Sequence, residues 1–202
     1  MALAPADPRA GALGEQLEAL RKIRAAVGPD TPIIWTIFSP LMVLPFLMTG
    51  GKEQALELLR SAPRAVEHAL GAMAESLAGY ARACVEEGAD GLFYATNVAT
   101  QSLMSAAECR RFQRPFDLRV LAAVEGAPFN LLHVCGDGIL FDEFSDYPVT
   151  AFSWATVPGN PTLAEGTAAP AGPPWAASPP SPTSPRPRVK RWPDGRGGRS
   201  PR

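Results

Sequence analysis

Glu86-Glu87-Gly88-Ala89-Asp90-Gly91-Leu92-Phe93-Tyr94-Ala95-Thr96 carries a helix end, a turn and a buried strand in one segment. Ahead of it, Ser61-Ala62-Pro63 opens a helix with proline in the first turn, where an amide has no helical partner to lose. Val66, Leu70, Met73, Leu77, Tyr80 and Cys84 then recur every three or four residues and form one apolar stripe, which Gly88 brings to an end. Asp90 to Ala95 follows as a strand candidate. A helix that runs directly into an apolar strand is the second half of a parallel crossover.

The same alternation extends in both directions. Upstream, Leu17, Leu20, Ile23 and Val27 place a helix over Gly14 to Val27, stopped by Gly28-Pro29-Asp30. Pro32 to Phe38 reads as a strand buried on both faces, because its β-branched and aromatic residues run without polar alternation. Gly50-Gly51 precedes a short helix through Leu56 and Leu59. Downstream, Ser105-Ala-Ala-Glu108 has the spacing at which a serine hydroxyl and a glutamate carboxylate satisfy each other's free backbone amides, so a helix starts there. Pro115 kinks that helix or begins a second one reaching about Glu125. Phe129 to Val134 is a third strand, Ile139 to Phe144 a short helix and Val149 to Trp154 a fourth strand. About four βα units result, in a chain of 202 residues. Periodicity alone leaves two α/β architectures open, half of a (β/α) barrel or a small doubly wound domain. The sequence has no repeat of fixed length and no glycine-rich phosphate loop of the common patterns.

Composition divides the chain. Met1 to Gly166 holds 12 basic and 19 acidic side chains, whereas Thr167 to Arg202 holds seven basic, one acidic and ten of the 22 prolines. The second part contains no Leu, Ile, Met or Phe, and Val189, Trp175 and Trp192 bury too little to offset the ordering of a chain. It is expected to be disordered, either as a basic arm for an anionic surface or, the preferred reading, as the product of an out-of-frame GC-rich message. No nucleic-acid partner is expected. Cys84, Cys109 and Cys135 are an odd number, with no secretory signal at Met1 to Ala10, which points to reduced thiols and a cytoplasmic protein. The most apolar run, Ile33 to Met48, is broken by Pro40 and Pro45 and is too short to span a membrane.

The chemistry concentrates in Leu131-Leu132-His133-Val134-Cys135-Gly136-Asp137-Gly138, where a strand passes into a loop. Two residues apart on an extended segment, His133 and Cys135 point to the same side, so an imidazole and a thiolate can share a zinc ion. The plainer alternative is packing at a strand end. A third ligand is needed, and Cys84 and Cys109 are poor candidates because each falls inside a helix. Thr96, Asn97 and Thr100 follow the strand ending at Ala95 and either line the same mouth or serve turns and caps. Asp137 caps the next turn or orients His133 from behind. His68 reads as a solvated surface histidine, and no residue declares itself as a catalytic acid, base or nucleophile.

Together, Glu86 to Thr96, Met104 to Glu108 and Arg111 to Phe116 resemble the middle of uroporphyrinogen decarboxylase superfamily proteins, which carry an "EAGAD" strand entry, an "SPEEY" helix start and an "F..PY" step. Pro32 to Gly50 is similar to the preceding strand and loop, and Phe152-Ser153-Trp154 with Gly159 to Leu163 is similar to the following "DW" strand end and helix start. The resemblance implies a partial TIM (β/α) barrel over residues 31–166, a helical lead-in over 1–30 and a separate tail over 167–202. It implies Thr96, Asn97 and Trp154 as substrate-binding candidates. The activity attached to the family is a decarboxylase of porphyrin biosynthesis, acting on a tetrapyrrole without metal or organic cofactor. His133-Val134-Cys135-Gly136 instead resembles the segment of corrinoid-linked methyltransferases in which His and Cys hold zinc, with a corrinoid protein and a thiol as partners. In that branch a further cysteine ligand lies beyond the point where this chain changes character. Two departures stand out: Ser153 replaces the "DW" aspartate, and nothing before Pro32 resembles the arginine-bearing loop of the decarboxylases. An inactive, truncated remnant is the third reading.

Overall fold

A computed structural model of the chain describes residues 4–168. Helix α1 (Gly11–Val27) leads into strand β1 (Ile34–Phe38), after which α2 (Pro40–Val43), a 3-10 turn (Leu44–Leu47), α3 (Gly51–Ser61) and the long α4 (Pro63–Glu86) return the chain to β2 (Gly91–Thr96). Helices α5 (Ala106–Phe112) and α6 (Arg114–Ala122) connect β2 to β3 (Leu131–Val134). A 3-10 turn (Phe141–Phe144) precedes β4 (Ala151–Trp154), and α7 (Leu163–Ala168) follows it. All three strand pairs are parallel and the sheet order is β1-β2-β3-β4. Consecutive parallel strands joined by helices make up a part of a (β/α) barrel, as expected. The disorder expected of residues 167–202 lies outside the described residues from 169 onward, while Thr167 and Ala168 complete α7.

Alternation along the strands assigns the two faces of the sheet. Trp35 donates from Nε1 to the Tyr80 hydroxyl of α4 at 2.9 Å, and Tyr94 donates to Asp117 of α6 at 2.7 Å. Phe152 and Trp154 pack on Phe141, with centroids 5.0 Å apart in each case. These side chains, with Leu132 and Val134, face the helix layer, where the core lies. The apolar stripe of α4 is buried there through Val66, Leu70, Met73, Tyr80 and Cys84, with Leu77 partly covered. The opposite face carries Thr36, Phe38, Phe93, His133 and Ser153 and is only partly covered.

The amino ends of β1 and β2 are braced by Arg24. Its guanidinium reaches Asp90 at 2.5 Å and donates to the carbonyls of Gly28, Thr31 and Gly88, while Asp90 also accepts the Ile33 amide at 2.7 Å. Asp90 of the "EAGAD"-like segment is therefore a bracket between two strand entries. Beside it, Glu87 meets Arg9 and Arg21, whose guanidiniums hold its carboxyl down near 2. Gly91 is irreplaceable on steric grounds: with φ at +154°, a Cβ there would lie 1.9 Å from the Phe129 carbonyl oxygen.

Candidate functional site

His133 stands on β3 in register with Ala95 of β2 and Ser153 of β4. Its ring is held on two sides. Phe93 stacks against it, with centroids 5.3 Å apart and 29° between planes, and Nδ1 lies 3.2 Å from the Ser153 hydroxyl. Among the described residues Nε2 has no hydrogen-bond partner. Cys135 lies just past the strand, yet its amide still donates to Thr96 at 2.8 Å, which continues the ladder and keeps the backbone extended. Its thiol is exposed, whereas Cys84 and Cys109 are buried in helices. His133 and Cys135 thus lie two residues apart on extended backbone at the carboxyl end of β3.

The loops that follow β2, β3 and β4 are tied together around this point. Gln101 donates to Gly138, Leu140 donates to Ala99, and Thr100 bridges Ile139. Asn160 closes the arrangement: Oδ1 accepts the Ile139 amide at 2.9 Å, and Nδ2 donates to Gly136 at 2.8 Å and Ala155 at 2.9 Å. Gly136 has φ at +126°, and a Cβ there would come 2.8 Å from the Thr100 methyl, so the residue after Cys135 has to be glycine for the loops to meet.

The other expected residues are placed differently. Thr96 is fully buried and its hydroxyl accepts from Gln113 Nε2 at 2.8 Å, so it faces the helices and not the mouth. Trp154 also turns to the helix side, donating from Nε1 to Pro161 at 2.8 Å. Asn97 remains at the carboxyl end, its backbone oxygen accepting from Lys52 at 3.2 Å and its Oδ1 buried without a partner among the described residues. Thr100 serves its own loop, 3.1 Å from the Ser102 hydroxyl. Asp137 is exposed and makes neither the cap nor the bond to His133; Ser153 holds the ring instead. His68 is exposed, as its helix position implies. Phe93 and Asn160 escaped the sequence reading, since each acts through strand register or loop meeting, and Ser153, noted there only as a departure from the "DW" pattern, is the partner of the His133 ring.

As donors, an imidazole and a thiol suit zinc. Number is the shortfall: among the described residues no group of three or more His, Cys, Asp and Glu is placed to hold a metal. His133 and Cys135 therefore fit as two ligands of a site that needs at least one more. No helix among the described residues is long and apolar enough to cross a membrane.

A parallel α/β barrel segment with a His-x-Cys pair at its carboxyl-end mouth defines a class of barrel proteins. The chain belongs to the uroporphyrinogen decarboxylase (URO-D) family, whose model matches residues 1–158. It is similar to the methylcobamide:CoM methyltransferase MtaA of Methanosarcina barkeri, strain Fusaro, at 32% identity over 120 residues, covering 59% of this chain and 34% of the relative. A second MtaA sequence from Methanosarcina barkeri matches to the same extent. Among solved structures, a methyltransferase from Methanosarcina mazei superposes with a TM-score of 0.63 at 27% identity, covering 75% of this chain and 47% of that one. The chain spans about a third of the length of the curated relatives it matches.

Proposed function

We propose that this chain is part of a zinc-dependent methyltransferase of the corrinoid-linked type, with a small thiol as methyl acceptor and a corrinoid protein as donor partner. The observation that carries this reading is the exposed Cys135 thiol beside His133 at the carboxyl end of β3, the end at which barrel enzymes place their chemistry. The names of the similar methyltransferases weigh the same way, and away from decarboxylation. His133 Nε2 and Cys135 Sγ supply two ligands, and Asn97, with its unpartnered Oδ1, is the remaining polar candidate at the mouth for contact with substrate. When bound, zinc deprotonates a coordinated thiol and so provides a nucleophile at neutral pH. Phe93 and Ser153 keep the imidazole in place, and the Asn160 bonds hold the Cys135–Gly136 loop against its neighbours.

A second reading, of a remnant without activity, is favoured by the outward Phe46 and Leu47, 67% and 66% exposed, and by Phe38 at 40% on the open sheet face. One titration separates the two. Zinc is added to the purified chain and to Cys135→Ser in competition with a chromophoric chelator. With a ligand still wanting, weak binding by the parent chain that the variant loses supports the methyltransferase reading. Equal, negligible binding in both leaves the remnant.

A further inference from the structure

The geometry points to a second copy of this chain as the partner that closes the sheet. Two chains related by a two-fold axis along the strands pair β1 of each with β4 of the other and complete an eight-stranded barrel. This assembly stands whichever chemistry the mouth performs. Its first support is topology: the sheet is four parallel strands in chain order, and among the described residues β1 and β4 are each paired on one side only. Four is half of a closed ring of eight, and rotation about an axis along the strands keeps all eight parallel. Backbone direction is the second support. The Ile33 carbonyl accepts from Asp90 and the Ser39 amide donates to Ala95, so both residues turn toward β2. By alternation Ile34, Thr36 and Phe38 turn their amides and carbonyls to the open side. On β4 the Ala151 amide donates to Asn130 of the β3 side, which leaves Phe152 and Trp154 facing outward in the same way. Each edge thus offers the groups that the other lacks. Third, a groove of about 470 Å³ lies along the β1 edge, walled by Leu13 of α1, Val43, and Leu77 and Tyr80 of α4. An edge that meets only water has no use for apolar walls, whereas an incoming strand brings side chains to fill them. Residues 169–202 contain no Leu, Ile, Met or Phe and lack the composition of a strand buried on both faces. A second β4, Ala151-Phe152-Ser153-Trp154, has it. Closure also covers the exposed Thr36 and Phe38 inside the ring and brings the His133–Cys135 segments of both copies to one mouth, since all strands run the same way.

The test is sedimentation equilibrium of the full chain under reductant. The expected result is a species of twice the 21.4 kDa of one chain, with nothing larger as concentration rises. Thr36→Pro removes an outward amide of β1 and leaves the β1–β2 ladder whole, so it should sediment as a single chain. Thr36→Val keeps that amide and should remain paired. Far-ultraviolet circular dichroism verifies that both variants are folded. A monomeric parent, as for an edge that waits on the other half of a longer barrel, overturns the inference. So does a mass that keeps growing with concentration, or a dimer that survives Thr36→Pro. Should Thr36→Pro fail to fold, the parent chain decides alone. Spin labels on Cys135, the exposed thiol, follow strands that stand opposite each other in the ring. Such a ring is about 15 Å across, so pulsed electron resonance should read one narrow distance of about 15–30 Å including the label arms. A broad or longer distribution overturns the closed pair.

Discussion

Asp117 of α6 is wholly buried, with one carboxyl oxygen accepting from the Tyr94 hydroxyl at 2.7 Å. Its other oxygen accepts from Tyr147 at 3.2 Å, so the group joins β2, α6 and the turn before β4. Burial pushes this carboxyl up to about 7, against the pull of the bonds from Tyr94, Gln113 and Tyr147. The neutral form is thus favoured in the fold relative to the unfolded chain, where the group titrates near 4. Its contribution to stability is complete at low pH, declines as pH rises from about 4 to about 7, and above that amounts to a penalty of a few kcal/mol. Asp117→Asn should be flatter over that window than the parent. Urea midpoints of both proteins at pH 5 and pH 8 check this, and parallel midpoints would refute it.

Removing the side chain of Asn160 frees Ile139, Gly136 and Ala155 from their common partner. Asn160→Ala should cost about 2 kcal/mol, because three hydrogen bonds to a half-buried loop are lost together. The amide of Ile139 should exchange with deuterium at least tenfold faster. An unaltered exchange rate would mean that the loops are held by other contacts.

Ser105 and Glu108 form the reciprocal cap of α5: the Glu108 amide donates to the serine oxygen at 3.2 Å, and the Ser105 amide donates to the carboxylate at 2.8 Å. Ser105→Ala is expected to lower unfolding stability by about 1 kcal/mol. Glu108, held low near 2 by Arg60 and then by Ser105, keeps its ion pair in that variant. A loss above about 3 kcal/mol in denaturant melts would show that the serine does more than cap.

Open sheet edges and exposed Phe46 and Leu47 predict self-association of the purified chain. The double variant Phe46→Glu, Leu47→Glu should sediment as a smaller species at equal concentration. A monomeric parent chain with one sharp melting transition would contradict the expectation.

The elements were readable because their signals are local. The proline at the start of α4, its apolar stripe and the Ser105 cap all lie within a few residues. Strand starts were placed too early where a side chain intervenes. The Ile33 amide bonds the Asp90 carboxylate, so β1 begins at Ile34, and the Asn130 amide bonds the Thr150 hydroxyl ahead of β3. His133 and Cys135 stood out because alternation gives them one side of a strand. Thr96 was misplaced because β2, apolar from Leu92 to Ala95, offers no polar alternation to say which face is which. Its bond to Gln113 appears only once α5 and α6 are packed. Asp117, Gln113 and Asn130 are polar residues that the sequence would assign to the surface, yet all three are buried.

Cys135 is the one exposed thiol of three, and burial pushes Cys84 up to about 11 and Cys109 up to about 12. The molecule is therefore a single-handle protein: a maleimide dye, a spin label or a heavy-atom reagent should attach at one known point beside His133 without mutagenesis. A disulfide between chains would have to form through the same residue and join two molecules mouth to mouth, so a reductant keeps that face open.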